Sequence, residues 1–274
     1  MTGRFPIITH MSNSIPSSFL TMLEQADVSW HAVLRTGLEA IAKASPDYLP
    51  ALAEDDFLPN GGRLFAAFRQ PMDAVRYVLV GEGPYPRPDS ATGVCFMDGA
   101  VGSLWSEKGL SKQVNRATSL RNFMKMLLVA DGQLSLAQTT GEAMEGVSAK
   151  ARAASDRVIQ TLPELQDNLA VQGFLLLNAS LVFRTHVPPV RDAKAWLPFL
   201  QVVLSALADH AEAMGAVTPT LVLWGKIAVQ LDALPANARF PRRVAEHPYN
   251  LSFIGNQSMQ DFFAPMQLLK KQAA

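Results

Sequence analysis

Cysteine is nearly missing from this chain: Cys95 is the only one in 274 residues. A lone thiol excludes an intramolecular disulfide, an all-cysteine zinc site and the four thiolates of an iron–sulfur cluster. By itself Cys95 reads as a small core residue. Net charge is missing too, since 24 basic residues balance 24 acidic ones, and no global field points to a polyanionic partner. Long apolar runs are absent: stretches such as FLLLNASLVF stop well short of the roughly 20 residues that a membrane span needs. The N-terminus has no charged region followed by an apolar one, so no secretory signal is expected. The reading is a soluble, cytoplasmic, monomeric protein with no membrane partner. His10, His31, His186, His210 and His247 lack metal-ligand spacing, and VLVGEG lacks the third glycine and downstream acid of a dinucleotide fingerprint. Neither a metal nor a cofactor is expected.

What is present is a chain 49% hydrophobic, able to bury a substantial core. Apolar residues at helical spacing predict helices over 18–25, 30–44, 119–129, 149–161, 197–212 and 259–269. Short, nearly all-apolar strands are predicted over 76–80, 174–177, 220–224 and 243–245. Continuous apolar strands separated by helices imply a parallel sheet covered on both faces. The expected architecture is therefore α/β, three-layer α/β/α with a central four-stranded parallel sheet. Residues 16–274 are read as a single domain, residues 1–15 as a disordered N-terminus, and the Ala/Ser/Glu-rich stretch 134–156 as an inserted loop or helix. Basic residues gather locally at Lys108, Lys112, Arg116, Arg121 and Lys125 against Glu107 alone. This pattern fits a solvated helix face or a phosphate-contacting edge.

Open parallel sheets bind ligands beyond the carboxyl ends of their strands. The segments there are GEGPYPRP (81–88), Asn178, Gly225 with Lys226, and Glu246-His247-Pro248. Four loops from distant parts of the sequence should converge at one edge.

These segments occur in an order that resembles the family-one uracil-DNA glycosylases. That family carries GQDPYHGP, Gly-x-x-Phe, Pro-Pro-Ser-Leu, LLLN, LLWG and HPSPLS. This chain has GEGPYPRP, GVCF (93–96), ATSL (117–120), LLLN (175–178), VLWG (222–225) and HPYNLS (247–252). VSWHAVL (28–34), FAAFRQP (65–71) and Trp196 extend the likeness over most of the chain from about residue 28. The resemblance implies an enzyme that flips uracil out of single- or double-stranded DNA and hydrolyses the N-glycosidic bond, leaving an abasic site for base excision repair.

Carried over residue by residue, the likeness gives each position a role beside its plainer one. Asn178, otherwise a strand-end cap, would pair with the uracil edge. Phe96, otherwise a core aromatic, would stack on the flipped base. Tyr85, otherwise a turn aromatic, would exclude the methyl group of thymine. His247 would donate to the departing base as negative charge develops. Leu251 would enter the duplex where the base left. DNA contacts would fall to Ser119, Lys226, Pro248, Leu251 and Ser252, with Arg87, Arg184 and Arg242 as further cations.

The water-activating loop departs from the family. Gly83 stands where the family has its catalytic Asp, and Pro86 where it has the adjoining histidine. GEGP is similar to the corresponding loop of the thermostable iron–sulfur branch, which also lacks the Asp. Glu82 then becomes the leading substitute for placing water, its plainer role being a carboxylate bonded to the turn; Asp89 is a weaker candidate. The alternative is a catalytically impaired homologue that binds DNA or flipped bases, or a glycosylase with altered lesion specificity.

Overall fold

The protein is described by a computed structural model covering residues 15–272. Of the segment expected to be disordered, only Ile15 lies within the described residues. The strands in chain order are β1 (Tyr77–Gly81), β2 (Trp105–Ser106), β3 (Gly109–Leu110), β4 (Phe174–Asn178), β5 (Thr220–Trp224) and β6 (Arg242–Ala245). The α-helices are α1 (Ser17–Met22), α2 (His31–Ala44), α3 (Tyr48–Ala53), α4 (Lys112–Arg116), α5 (Thr118–Ala130), α6 (Gly141–Ala153), α7 (Leu162–Val171), α8 (Pro189–Ala213), α9 (Ile227–Leu231) and α10 (Gln257–Phe263).

The central sheet is parallel, with spatial order β4-β1-β5-β6. Residues alternate between its faces, as a two-residue period requires. Val78, Val80, Leu175, Leu177, Leu221 and Leu223 face one core with the helices α2, α3 and α8. Leu79, Phe174, Leu176, Val222 and Trp224 face the other, with α5, α6, α7 and α10. Both layers are apolar, so β1, β4 and β5 read as unbroken hydrophobic runs. The expected three-layer architecture is present.

Several expected elements differ. The edge strand β6 is not covered on both faces: Arg242, Arg243 and Val244 are exposed. Two consecutive arginines on an open edge discourage pairing with another chain. The helix expected over 149–161 lies instead at Gly141–Ala153, within the stretch read as an insertion. Thr161 starts the next helix: its hydroxyl accepts from the Glu164 amide while Glu164 accepts from the Thr161 amide, a capping box that separates α6 from α7. The helix expected to reach residue 269 stops at Phe263, where the chain turns through Ala264–Met266, a single 3₁₀ turn containing Pro265. The helix expected from residue 197 begins with Pro189 in its first turn. The β2–β3 hairpin, two residues a side, is too short to carry a periodic signal. It packs on α6, where the Ser148 hydroxyl donates to the Ser106 carbonyl at 2.5 Å.

Candidate active site

The site forms where the chain leaves β1, β4, β5 and β6 at their carboxyl ends. Beyond β1 and β4 the two chains stay side by side: the Ala179 amide donates to Gly81 O at 2.8 Å and the Ser180 amide to Glu82 O at 3.2 Å. These bonds place the Glu82-Gly83 loop beside Asn178. Gly81 permits that approach, since a Cβ there would stand 2.5 Å from Cys95 Sγ and 3.0 Å from Asn178 Oδ1. The Cys95 amide in turn donates to Leu176 O at 3.0 Å, fixing the segment 93–96 against β4.

Phe96 follows with a φ of +67°. A bulky residue in the left-handed region stores strain on the order of 1–2 kcal/mol, and such strain concentrates at functional sites. Near-perpendicular packing on Phe123 (5.4 Å) and Trp224 (5.4 Å) holds its ring at the pocket wall. The Tyr85 hydroxyl lies 3.5 Å from the Phe96 carbonyl, and burial pushes its phenol pKa up. Burial also pushes the Cys95 thiol up to about 12. That thiol is protonated at neutral pH and forms part of the wall, not a nucleophile.

After β5, Gly225 adopts a φ of +71°, and a Cβ on it would sit 2.9 Å from His247 Cβ. Its amide donates to Ala245 O at 2.9 Å. Glycine at 225 is thus what lets the loop after β6 close over the sheet end. In that loop His247 Nδ1 accepts from the Tyr249 amide at 3.1 Å, and the Asn250 amide donates to His247 O at 2.9 Å. A neutral imidazole whose Nδ1 accepts must carry its proton on Nε2.

The cavity bounded by these loops has a volume of about 600 Å³ and brings together Glu82, Gly83, Tyr85, Phe96, Ser119, Asn178, Lys226 and His247. Asn178 is only 4% exposed, and its amide makes no hydrogen bond among the described residues. The amide atoms are not enclosed by protein but open onto the cavity, where water or a bound molecule can pair with them. Glu82 is exposed at the mouth, and its carboxylate accepts no hydrogen bond from the described residues.

The remaining expected residues lie around this centre. Pro248 is buried, and its carbonyl accepts from Asn122 at 2.7 Å. Leu251, 69% exposed, and Ser252, also exposed, project from the loop outside the cavity. Asp89 is exposed and does not line it. Three of the cations read as phosphate contacts are engaged within the protein: Arg184 bridges Asp55 (2.9 Å) and Asp192 (2.6 Å), Arg242 pairs with Asp232 (2.8 Å), and Arg87 lies 3.5 Å from Asp98. Lys226 is exposed and has no ion pair among the described residues. Sequence reasoning brought Glu246, Tyr249 and Asn250 to this edge without giving them a role in the wall, and it missed Asn122 beneath it. Asn122 carried one faint signal, a polar residue inside an apolar helical stretch. Among the described residues no three His, Cys, Asp or Glu side chains cluster as a metal site requires, and no helix is long and apolar enough to cross a membrane.

Burial lowers the His247 pKa below its ordinary 6.5, while the Glu82 carboxylate pulls it back up. The folded protein therefore binds this proton less readily than the unfolded chain. The sign follows: the stability and the neutral ring are fully present above about pH 6.5 and are lost as pH falls toward the lower folded value. Removing the Glu82 charge takes away the opposing pull. In Glu82→Gln the His247 midpoint, followed by the ring-proton shifts in an NMR titration, is expected to fall below that of the wild type. A rise would break the proposed proximity of the two groups.

The comparisons with known proteins converge. No family model matches the chain. The uracil-DNA glycosylase of Corynebacterium glutamicum is 30% identical over 227 residues, covering 82% of this chain and 80% of that protein. The uracil-DNA glycosylase of Thermobifida fusca is 27% identical over 272 residues, 96% of each chain. Among solved structures, the wild-type UNG of Nitratifractor salsuginis superposes with a TM-score of 0.81 at 37% identity, covering 92% of this chain and 96% of that one.

Proposed function

This chain belongs to the uracil-DNA glycosylase superfamily, and from that membership we propose that it removes uracil from DNA by hydrolysing the N-glycosidic bond. The observation that carries the reading is Asn178, a largely buried residue whose amide opens onto a cavity walled by Phe96 and Tyr85 and makes no hydrogen bond among the described residues. A base taken out of the stack would enter between them, with its edge on Asn178 and its face on Phe96. Tyr85 occupies the wall where a thymine methyl would have to fit.

The bond from C1′ of the sugar to N1 of the base then breaks, with the electron pair leaving on the base. His247, neutral and protonated on Nε2, donates to the base oxygen on which that charge collects, a contribution of about 3–4 kcal/mol for a preorganised donor. Water adds to C1′ and gives up a proton. Glu82, without a hydrogen bond among the described residues and beside His247, is the group that would orient that water and accept the proton, in place of the acid absent at Gly83. Ser119 lies in the first turn of α5, whose N-cap position, Ala117, provides no side-chain cap. The free amides of that turn suit a backbone phosphate. Lys226 adds charge nearby, and Leu251 is positioned to fill the gap in the duplex.

The test uses a single-uracil oligonucleotide, single- and double-stranded, followed by alkaline cleavage of abasic sites. Strand scission that requires uracil is the expected result. No scission at micromolar enzyme would reject hydrolysis and leave the impaired base-binding reading, which the absence of an acid at Gly83 favours. Scission only with another damaged base would assign a different lesion range.

A further inference from the structure

Asn122 lies in the middle of α5 and is fully buried. Its Nδ2 donates to three consecutive carbonyls of the loop after β6: Pro248 O at 2.7 Å, Tyr249 O at 3.3 Å and Asn250 O at 3.3 Å. Its Oδ1 accepts from Arg121 Nε at 3.2 Å, and Arg121 Nη1 is itself held by Asn115 O at 3.3 Å. The amide therefore has one orientation, with oxygen toward Arg121 and nitrogen toward the loop.

The Pro248 carbonyl and the Tyr249 amide belong to the same peptide unit. One edge of that planar group accepts from Asn122, and the other donates to His247 Nδ1 at 3.1 Å. Because the peptide is rigid, fixing its carbonyl fixes the direction of its N–H. We propose that Asn122 is a positioning residue which acts through the Pro248–Tyr249 peptide to hold His247 with its proton on Nε2, aimed into the cavity. The inference rests on the uracil-excision reading for its kinetic consequence, though not for the tautomer itself.

A side chain that only filled space here would be better served by leucine, since burying an amide is unfavourable unless it is bonded. Three carbonyl partners on one loop indicate that the loop backbone is what the amide serves. That backbone carries His247 at its start and Leu251 at its end. Its residues 249–252 are exposed, so little apolar packing defines their path.

Two measurements test the proposal. In the wild type, ¹⁵N spectra of the histidine rings should place His247 as the Nε2–H tautomer; an Nδ1–H ring would overturn the inference whatever the variants do. In Asn122→Ala, and in Asn122→Asp, which sets a carboxylate against three carbonyls, the ring should show mixed or reversed tautomers. The kcat for uracil excision should fall by about 10²-fold, the scale of an ångström-sized misplacement, with KM within about threefold because Asn178 and Phe96 are untouched. A folded Asn122→Ala that keeps the wild-type tautomer and a kcat within twofold would also overturn it. If the wild type excises no uracil, the function fails, but the spectra still decide the tautomer. If neither variant folds, an Nδ1–H ring in the wild type would still overturn the inference.

Discussion

Replacing Asn178 with alanine is expected to lower kcat/KM for uracil excision by about 10³-fold. The uracil edge offers a carbonyl acceptor beside a ring N–H donor, and a primary amide matches both. Truncation would leave those two base atoms buried without partners, at roughly 1–3 kcal/mol each. Together that is roughly 2–6 kcal/mol, or between about 30-fold and 10⁴-fold at 1.36 kcal/mol per decade. Asn178 is the last residue of β4, with its backbone paired to Gly81, and its side chain makes no bond within the described protein. The variant should consequently keep its fold and melt within a degree or two of the wild type. Affinity for undamaged duplex should also hold, since the phosphate contacts belong to other loops. Single-turnover excision from a uracil oligonucleotide, with a melting curve as control, measures the effect. A loss smaller than tenfold would mean that the base is read elsewhere in the cavity.

The parts of the molecule that could be read from sequence are those where a single local rule decides the outcome. Strands β1, β4 and β5 are buried on both faces, so their composition alone identifies them, and the residue just past each is brought to the common edge by parallel topology. Glu82, Tyr85 and Asn178 reach the cavity for that reason, whereas His247 follows the exposed edge strand β6 and Phe96 is held there by the Cys95–Leu176 bond. Where two rules compete, the sequence is silent. Residues 149–161 have apolar spacing throughout, yet α6 ends at Ala153, the chain turns to a bridge at Val158, and the Thr161–Glu164 capping box starts a new helix. Arg184 looks like a spare cation near LLLN, but Asp55 comes from far earlier in the chain to neutralise it. Asn122 grips a loop more than 120 residues away, a relation that no local pattern encodes.

Placing an acid in the loop after β1, Gly83→Asp, is expected to raise kcat by about 10²-fold, the lower end of what a positioned acid or base supplies. Nothing in the local geometry requires glycine at this point. Its φ lies outside the left-handed region, and a Cβ would meet only Ser180, at 3.7 Å from both the Cβ and the carbonyl oxygen. Those are ordinary contacts, so the side chain can be added without moving the loop. The informative quantity is the coupling with Glu82. If Glu82 now places the water, Glu82→Gln alone should reduce kcat by roughly 10²-fold. In the Gly83→Asp background the same change should matter far less, because the new carboxylate does the same job and two groups that share one job are not additive. A double-mutant cycle in single-turnover kinetics therefore separates three mechanisms. Strong coupling assigns the water to Glu82. Equal losses from Glu82→Gln in both backgrounds would confine Glu82 to raising the His247 pKa. An unchanged rate in Gly83→Asp would place the attacking water away from the loop after β1 altogether.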